Sequence, residues 1–306
     1  MEQFELCWSH GRATVFSDGA MLHHLVFDGH GDAFSPLAEA PWQAQYLAAP
    51  HDEWPRHLQV LGGEWACVPF GSTHHDPAHH GYGTDHPWQV VTQASDHITL
   101  GLDYPLDHAI KRLERSISGV DGQAAVDLSL TITPRRTGLM PIGLHPIFRL
   151  TDDLRILPPK IDHGMTFPKV FEEGASQLRP NARFQQDGLV ATDDGDANVF
   201  SAPSALNEDL VQLVDTDGEM VLVYGQENMV VHLTWDAQAL PHCLLWISNK
   251  GRGAAPWQHQ FQGLGVEPIN SYFDINDDAP EGQDYGLPLT ADQPVTINYR
   301  MAASRL

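Results

Sequence analysis

The sequence predicts an all-β protein, built as a large antiparallel sandwich or barrel. Three observations lead there: short runs in which apolar and polar residues alternate, turn signals between pairs of such runs, and no window with a long apolar stripe at helical spacing. Alternation with period two is the mark of a strand with one dry and one wet face, because successive side chains point to opposite sides of a sheet.

In chain order, residues 14–16 and 21–27 flank Ser17-Asp18-Gly19 and read as a first hairpin. Residues 98–104 are a further strand. Residues 113–133 form the clearest hairpin: 113–117 alternates, Asp121-Gly122 turns the chain, and Val126, Leu128, Leu130 and Ile132 then share one face while Asp127, Ser129 and Thr131 share the other. Residues 221–224 and 230–235 flank the turn 225–228, and residues 244–248, 264–266 and 295–301 complete the strand candidates. Between them, residues 38–55, 69–88 and 250–261 are loops rich in Pro, Gly, His and Trp. Loops carried on a rigid sheet are where binding groups gather. Residues 193–209 are polar and acidic, and are expected as a surface excursion.

The chain has 306 residues, 42% of them hydrophobic, and a chain of that length hides roughly 75% of its unfolded surface. Large β-sandwiches often run this long as one unit, so residues 1–306 are expected to form a single domain. Seventeen Lys and Arg against forty Asp and Glu give a net charge of −23, the wrong sign for nucleic acid or an anionic membrane surface. The first residues, MEQFELCWSH, carry neither a basic n-region nor an apolar h-region, so a soluble, cytoplasmic protein is expected. Cys7, Cys67 and Cys243 are far apart and in no CxxC spacing, which suits reduced, buried thiols.

Four features could carry chemistry. His145 precedes Pro146 inside an apolar run, so its backbone is held extended, as suits a residue at a pocket rim. A core or edge histidine held by one hydrogen bond is the plainer alternative. Glu267 ends an apolar strand; partly desolvated, its pKa would rise toward the range of a general base, and otherwise it is an exposed strand-end glutamate. His74, His75, His79, His80 and His86 crowd residues 74–86, but Pro77, Gly81, Gly83 and Pro87 make this a loop without metal-site spacing, better suited to sugar contacts than to a catalytic metal. Trp42, Trp54, Trp65, Trp88, Trp246 and Trp257 lie in or near the loops; each is either core packing or a face on which a sugar ring stacks. No GxxxxGK[ST] and no strand-to-helix GxGxxG is present, so nucleotide cofactors have no support.

Taken in order, Ser35-Pro36-Leu37 with Ala40-Pro41-Trp42, His80-Gly81, the run Gly143 to Leu150 (GLHPIFRL), Trp246-Ile247-Ser248-Asn249, Pro256-Trp257 and Gly265-Val266-Glu267-Pro268 resemble the aldose 1-epimerase (galactose mutarotase-like) family from about Val15 to Tyr299. The resemblance implies a large galactose mutarotase-like β-supersandwich with a sugar cleft on one sheet face. It implies that His145 is the acid that protonates the ring oxygen of a hexose and Glu267 the base that takes the anomeric hydroxyl proton. The ring then opens, rotates about C1–C2 and recloses as the other anomer, with no cofactor and no metal. His80 is implied to hold a sugar hydroxyl or the ring oxygen, and Trp246 and Trp257 to line the site. The chain departs from the pattern at Thr84, where relatives often carry an arginine, so a basic group for a phosphorylated sugar is expected to be missing. Arg56 and Asp236 are the candidates for the family's remaining substrate-binding pair.

The expected partner is therefore a small-molecule hexose, bound by a monomer or homodimer. Two other classes remain open: a non-catalytic carbohydrate-binding sandwich, or an epimerase of a modified sugar, and a metal-dependent enzyme using His74, His75, His79 and His80.

Overall fold

The structure, a computed structural model, describes residues 1–28, 31–192, 195–203, 206–282 and 285–306. Two eight-stranded antiparallel sheets form its frame. The back sheet runs in the order Leu154–Leu157, Glu219–Tyr224, Met229–Trp235, Val295–Arg305, Ala125–Pro134, Ile110–Gly119, His97–Asp103 and Gln89–Gln93. Its centre is the hairpin predicted over 113–133, in the register Leu113↔Ile132 and Ile117↔Leu128. Val126, Leu128, Leu130 and Ile132 are buried, whereas Asp127 is exposed. Each such apolar side chain contributes roughly 1.5–3 kcal/mol on full burial.

The front sheet runs Arg183–Phe184, His163–Thr166, Asn207–Val214, His242–Asn249, Gln262–Asn270, Ile142–Leu144 and Ala66–Cys67, and Ile147–Phe148 also pairs with Gln262–Asn270. One face joins the back sheet in a shared core through Val211, Leu213, Cys243, Leu245, Leu264 and Val266. The other face carries Leu210, Leu244, Trp246 and Ile269, which lie in a second apolar cluster with Trp42, Trp65, Phe70, Trp257 and Phe261 from the connecting loops. Its central strands are therefore buried on both sides.

A smaller sheet of Gln3–Trp8, Gly11–Phe16 and Met21–Phe27 contains the first predicted hairpin and, before it, one strand that is not among the sequence's strand candidates. Among the described residues the loops hold only short helices, Gln43–Ala48 and Arg56–Gln59, and the 3₁₀ turns Tyr82–Asp85 and Asn276–Asp278. Among the described residues no helix is long and apolar enough to cross a membrane. A buried polar knot ties the layers together: Glu64 accepts hydrogen bonds from Arg115 and from the Tyr299 hydroxyl, and Arg115 also donates to the Ala20 carbonyl at 2.9 Å.

Two expectations are corrected. Cys7 is exposed, unlike the buried free thiols Cys67 and Cys243, because it lies on the small sheet and not between the large ones. The stretch 193–209 is not wholly a surface excursion. Residues 193, 194, 204 and 205 lie outside the described residues, but Glu208 and Asp209 are buried in Asn207–Val214. Burial of these charges is offset by partners: Asp209 accepts hydrogen bonds from the Gln177 backbone and the Asn207 amide, and Glu208 is held as described below.

Candidate active site

The outer face of the front sheet opens into a cleft of about 220 Å³, a little below the roughly 300–1,000 Å³ of sites for drug-sized ligands. Strand Gln262–Asn270 supplies its floor. Alternation sends Leu264 and Val266 into the shared core and Gly265, Glu267 and Ile269 toward the cleft. A side chain at Gly265 would collide with Glu267, since a Cβ there would lie 2.3 Å from Glu267 Oε1, so glycine leaves the room in which this carboxylate sits. Glu267 is 1% exposed, lies within its strand rather than at its end, and faces the cleft. Burial, with the nearby negative charge of Asp274, pushes its pKa well above the ordinary value.

His145 comes from the gap between Ile142–Leu144 and Ile147–Phe148. Its backbone N–H donates to the Trp65 carbonyl at 2.8 Å, and the next carbonyl, of Pro146, accepts from Val266 at 3.0 Å. Its ring stacks on Trp65 with centroids 4.1 Å apart and planes 14° apart. Nε2 lies 3.5 Å from Glu267 Oε1, and Nδ1 is buried without a hydrogen-bond partner. The residue is 5% exposed and sits on the cleft wall, not its rim. Burial lowers its pKa to about 3, helped by the nearby His57. Burial therefore favours the neutral forms of both groups, with the proton of the pair on Glu267.

His80 follows the same logic. The Gly71 N–H donates to His80 Nδ1 at 3.2 Å, and the His80 N–H returns a bond to the Gly71 carbonyl at 3.2 Å. Gly81 follows at φ 82°, where a Cβ would lie 2.2 Å from the Val68 carbonyl oxygen, so the His-Gly pair is required by the close backbone approach. Burial holds His80 neutral. Its ring meets His145 edge-on, with centroids 5.1 Å apart.

Trp246 and Trp257 both line the cleft, 5.8 Å apart and perpendicular. The Trp246 Nε1–H donates to Glu208 Oε1 at 2.7 Å, and the Ser248 hydroxyl to Glu208 Oε2 at 2.9 Å. The five residues singled out from sequence, His80, His145, Trp246, Trp257 and Glu267, thus border one cavity.

Others were not foreseen. Arg252 lines the cleft, its guanidinium 4.6 Å from the Trp257 ring centre and its Nε 3.0 Å from Glu208 Oε1. A basic group is thus present, contrary to the expectation drawn from Thr84, because it arrives from the loop after Trp246 and not from the His80 loop. Thr84 is buried, its hydroxyl bonded to the His80 carbonyl at 2.7 Å. Arg56 instead approaches Asp18 at 3.5 Å, and Asp236 caps a turn through Gln238; neither lines the cleft. Arg252 lay within a loop already marked as aromatic-rich, and its place between two tryptophans was the available signal. His57, Trp65 and Asp274 also line the cleft. The crowded histidines divide: His74 pairs with Asp277 at 2.7 Å on the surface, whereas His79, bonded to Ser72 at 3.0 Å, lines the cleft beside His80 with ring centroids 4.0 Å apart. Among the described residues, no three His, Cys, Asp or Glu side chains converge as metal ligands would.

No protein-family model matches the sequence, and no curated protein matches it either. Solved structures do. A candidate aldose 1-epimerase from Escherichia coli K12 superposes with a TM-score of 0.70 at 16% identity, over 100% of this chain and 99% of that one. A galactose mutarotase-like protein from Lactobacillus casei gives 0.65 at 15% identity, over 99% and 100%. A GalM/aldose epimerase homologue from C. elegans gives 0.67 at 13% identity, over 100% and 99%. Similarity over the whole length at such low identity is a likeness of fold, and the chain has the mainly β, galactose mutarotase-like fold.

Proposed function

We propose that the protein is an isomerase of the aldose 1-epimerase type, a mutarotase that interconverts the α and β anomers of a hexose. The observation that supports this most is the buried His145–Glu267 pair, 3.5 Å apart, facing a cleft walled by Trp65, Trp246 and Trp257. The resemblance in ordered motifs and the fold likeness point the same way.

The pair holds one proton. Burial favours it on Glu267; its transfer to His145 creates the reactive form, an imidazolium beside a carboxylate. His145 then protonates the ring oxygen while Glu267 takes the anomeric hydroxyl proton, and the C1–O5 bond breaks to give the open aldehyde. After rotation about C1–C2, Glu267 returns its proton to the carbonyl oxygen as O5 attacks, and His145 recovers the proton from O5. No net proton, electron or group is exchanged, so the cycle needs no cofactor. Each positioned acid or base contributes about 10²–10⁴-fold. His80 and the tryptophan faces hold the sugar, whose C–H faces stack on aromatic rings. The whole chain, residues 1–306, acts as one domain in this reading.

The test is polarimetry of freshly dissolved α-glucose and α-galactose with purified protein, a buffer blank and the Glu267→Gln variant. Faster approach to anomeric equilibrium, lost in the variant, is expected. No acceleration of either sugar would overturn the reading for common hexoses and favour a modified sugar or a non-catalytic carbohydrate-binding role.

A further inference from the structure

His57 is buried in the first turn of the short helix Arg56–Gln59 and lines the cleft, yet the mechanism above does not use it. Its Nδ1 lies 2.9 Å from Asp85 Oδ1, and its backbone N–H donates to the same oxygen at 2.9 Å. Burial works against the charge of Asp85, but these hydrogen bonds outweigh it and hold the carboxyl below its usual pKa. An ionised carboxylate only accepts, so the proton of a neutral His57 is fixed on Nδ1, and Nε2, the nitrogen not engaged by Asp85, is left as an acceptor.

His80 is set the opposite way. Its Nδ1 accepts the Gly71 N–H, so in the neutral ring the proton sits on Nε2, which becomes a donor. The two rings stand 6.0 Å apart, at 83° to each other, on one side of the cleft. Two neighbouring imidazoles thus offer opposite hydrogen-bond polarities, each set by a partner outside the cleft, the half-buried Asp85 carboxylate for His57 and the buried Gly71 N–H for His80.

We propose that His57 and His80 together read one hydroxyl group of the sugar, His57 Nε2 accepting its proton and His80 Nε2–H donating to its oxygen. A hydroxyl is the group that both donates and accepts at one atom, so the pair selects a neutral polyol position over a deoxy, fluoro, keto or ether position. This rests on the mutarotase reading for the identity of the ligand, but the polarity of the two rings does not depend on it. His57 is a specificity-determining residue here, Asp85 and Gly71 its and His80's positioning partners.

The first experiment needs neither variant nor substrate: ¹⁵N NMR of the histidine rings in the wild-type protein near neutral pH. A proton on Nδ1 alone of His57 and on Nε2 alone of His80 is expected; the opposite tautomer or a doubly protonated ring at either site overturns the proposal, whether or not any sugar turns over. The second compares kcat/KM for a hexose and its deoxyfluoro analogues, ring position by ring position, in wild type and His57→Phe. Fluorine accepts but cannot donate, so at one position it should cost wild type roughly tenfold or more. His57→Phe should lose a similar factor on the parent sugar and nothing further on that analogue. Equal losses on every analogue, or no loss in a variant whose Tm is unchanged, would sink the idea. Absent turnover of any sugar with the expected tautomers would instead count against the mutarotase reading.

Discussion

The two large sheets are made of similar strands and put to different use. In the back sheet each central strand has one buried and one wetter face, as in Ala125–Pro134, where Leu130 is buried and Asp127 exposed. In the front sheet the central strands are buried on both faces, and the outer one carries Glu208, Trp246 and Glu267 beneath loops instead of water. Burial on the back sheet is mostly apolar, the Arg115–Glu64 knot apart, and favours the fold. On the front sheet it encloses ionisable groups, which costs stability and shifts their pKa values toward chemistry.

This contrast predicts that front-sheet substitutions change turnover and back-sheet substitutions change stability. The largest effect is expected for Glu267→Gln, which should lower kcat by about 10²–10⁴-fold with no loss of Tm, measured by polarimetry and calorimetry. A large fall in Tm would mean that Glu267 is a structural group after all. Next is the knot between layers: Glu64→Ala leaves Arg115 buried and unpaired and should cost about 3–5 kcal/mol in denaturant unfolding. Leu130→Ala, in the back-sheet core, should cost about 2–5 kcal/mol while the rate per folded molecule stays at the wild-type level. If either variant folded yet lost its turnover, the division of labour between the sheets would be wrong.

A smaller, pH-dependent effect separates the same regions. His145 has a folded pKa near 3, below its ordinary value of 6.5, so the stability it contributes is present above about 6.5 and lost as pH falls through that window. Glu267 is raised, so its contribution is present below the ordinary carboxylate range and lost as pH rises through its folded value. Tm measured against pH should therefore fall less steeply in acid for His145→Asn, and less steeply toward alkaline pH for Glu267→Gln, than for wild type. Parallel curves would contradict the burial argument. Least of all, Asp127→Ala on the exposed back face should change stability by less than about 0.5 kcal/mol and leave turnover untouched.

The same contrast explains what could be read in advance. The back sheet was legible because half-buried strands write their exposure into the sequence, as the hairpin at Asp121-Gly122 does. The strand Gln3–Trp8 carries the same alternation, Phe4, Leu6 and Trp8 turning inward between Gln3, Glu5 and Cys7, but a stripe of three with only Leu6 fully buried is a short signal that its pairing with Gly11–Phe16 makes plain. The front sheet gave shorter signals, since a strand covered on both sides need not alternate: Gln262–Asn270 announced itself over 264–266 alone. Glu208 was mistaken for a surface residue because its cover, Trp246, Ser248 and Arg252, lies about forty positions away.

For the cleft, His80, His145, Trp246, Trp257 and Glu267 were found through motifs whose order in the chain resembles a family. His57, Asp85, Arg252 and Asp274 were not, because neither a four-residue helix nor a loop has a periodicity to betray which way a side chain points. The sequence by itself determined the β class, the main hairpins and the acidic balance of the molecule, since these depend on local alternation, turn chemistry and summed charge. Only the tertiary structure decided that Glu267 is desolvated beside His145, that Arg252 reaches the cleft, and that Asp85 and Gly71 fix opposite tautomers on His57 and His80. Those properties arise from groups distant in sequence sharing one dry space, where burial and a single hydrogen bond set where a proton resides.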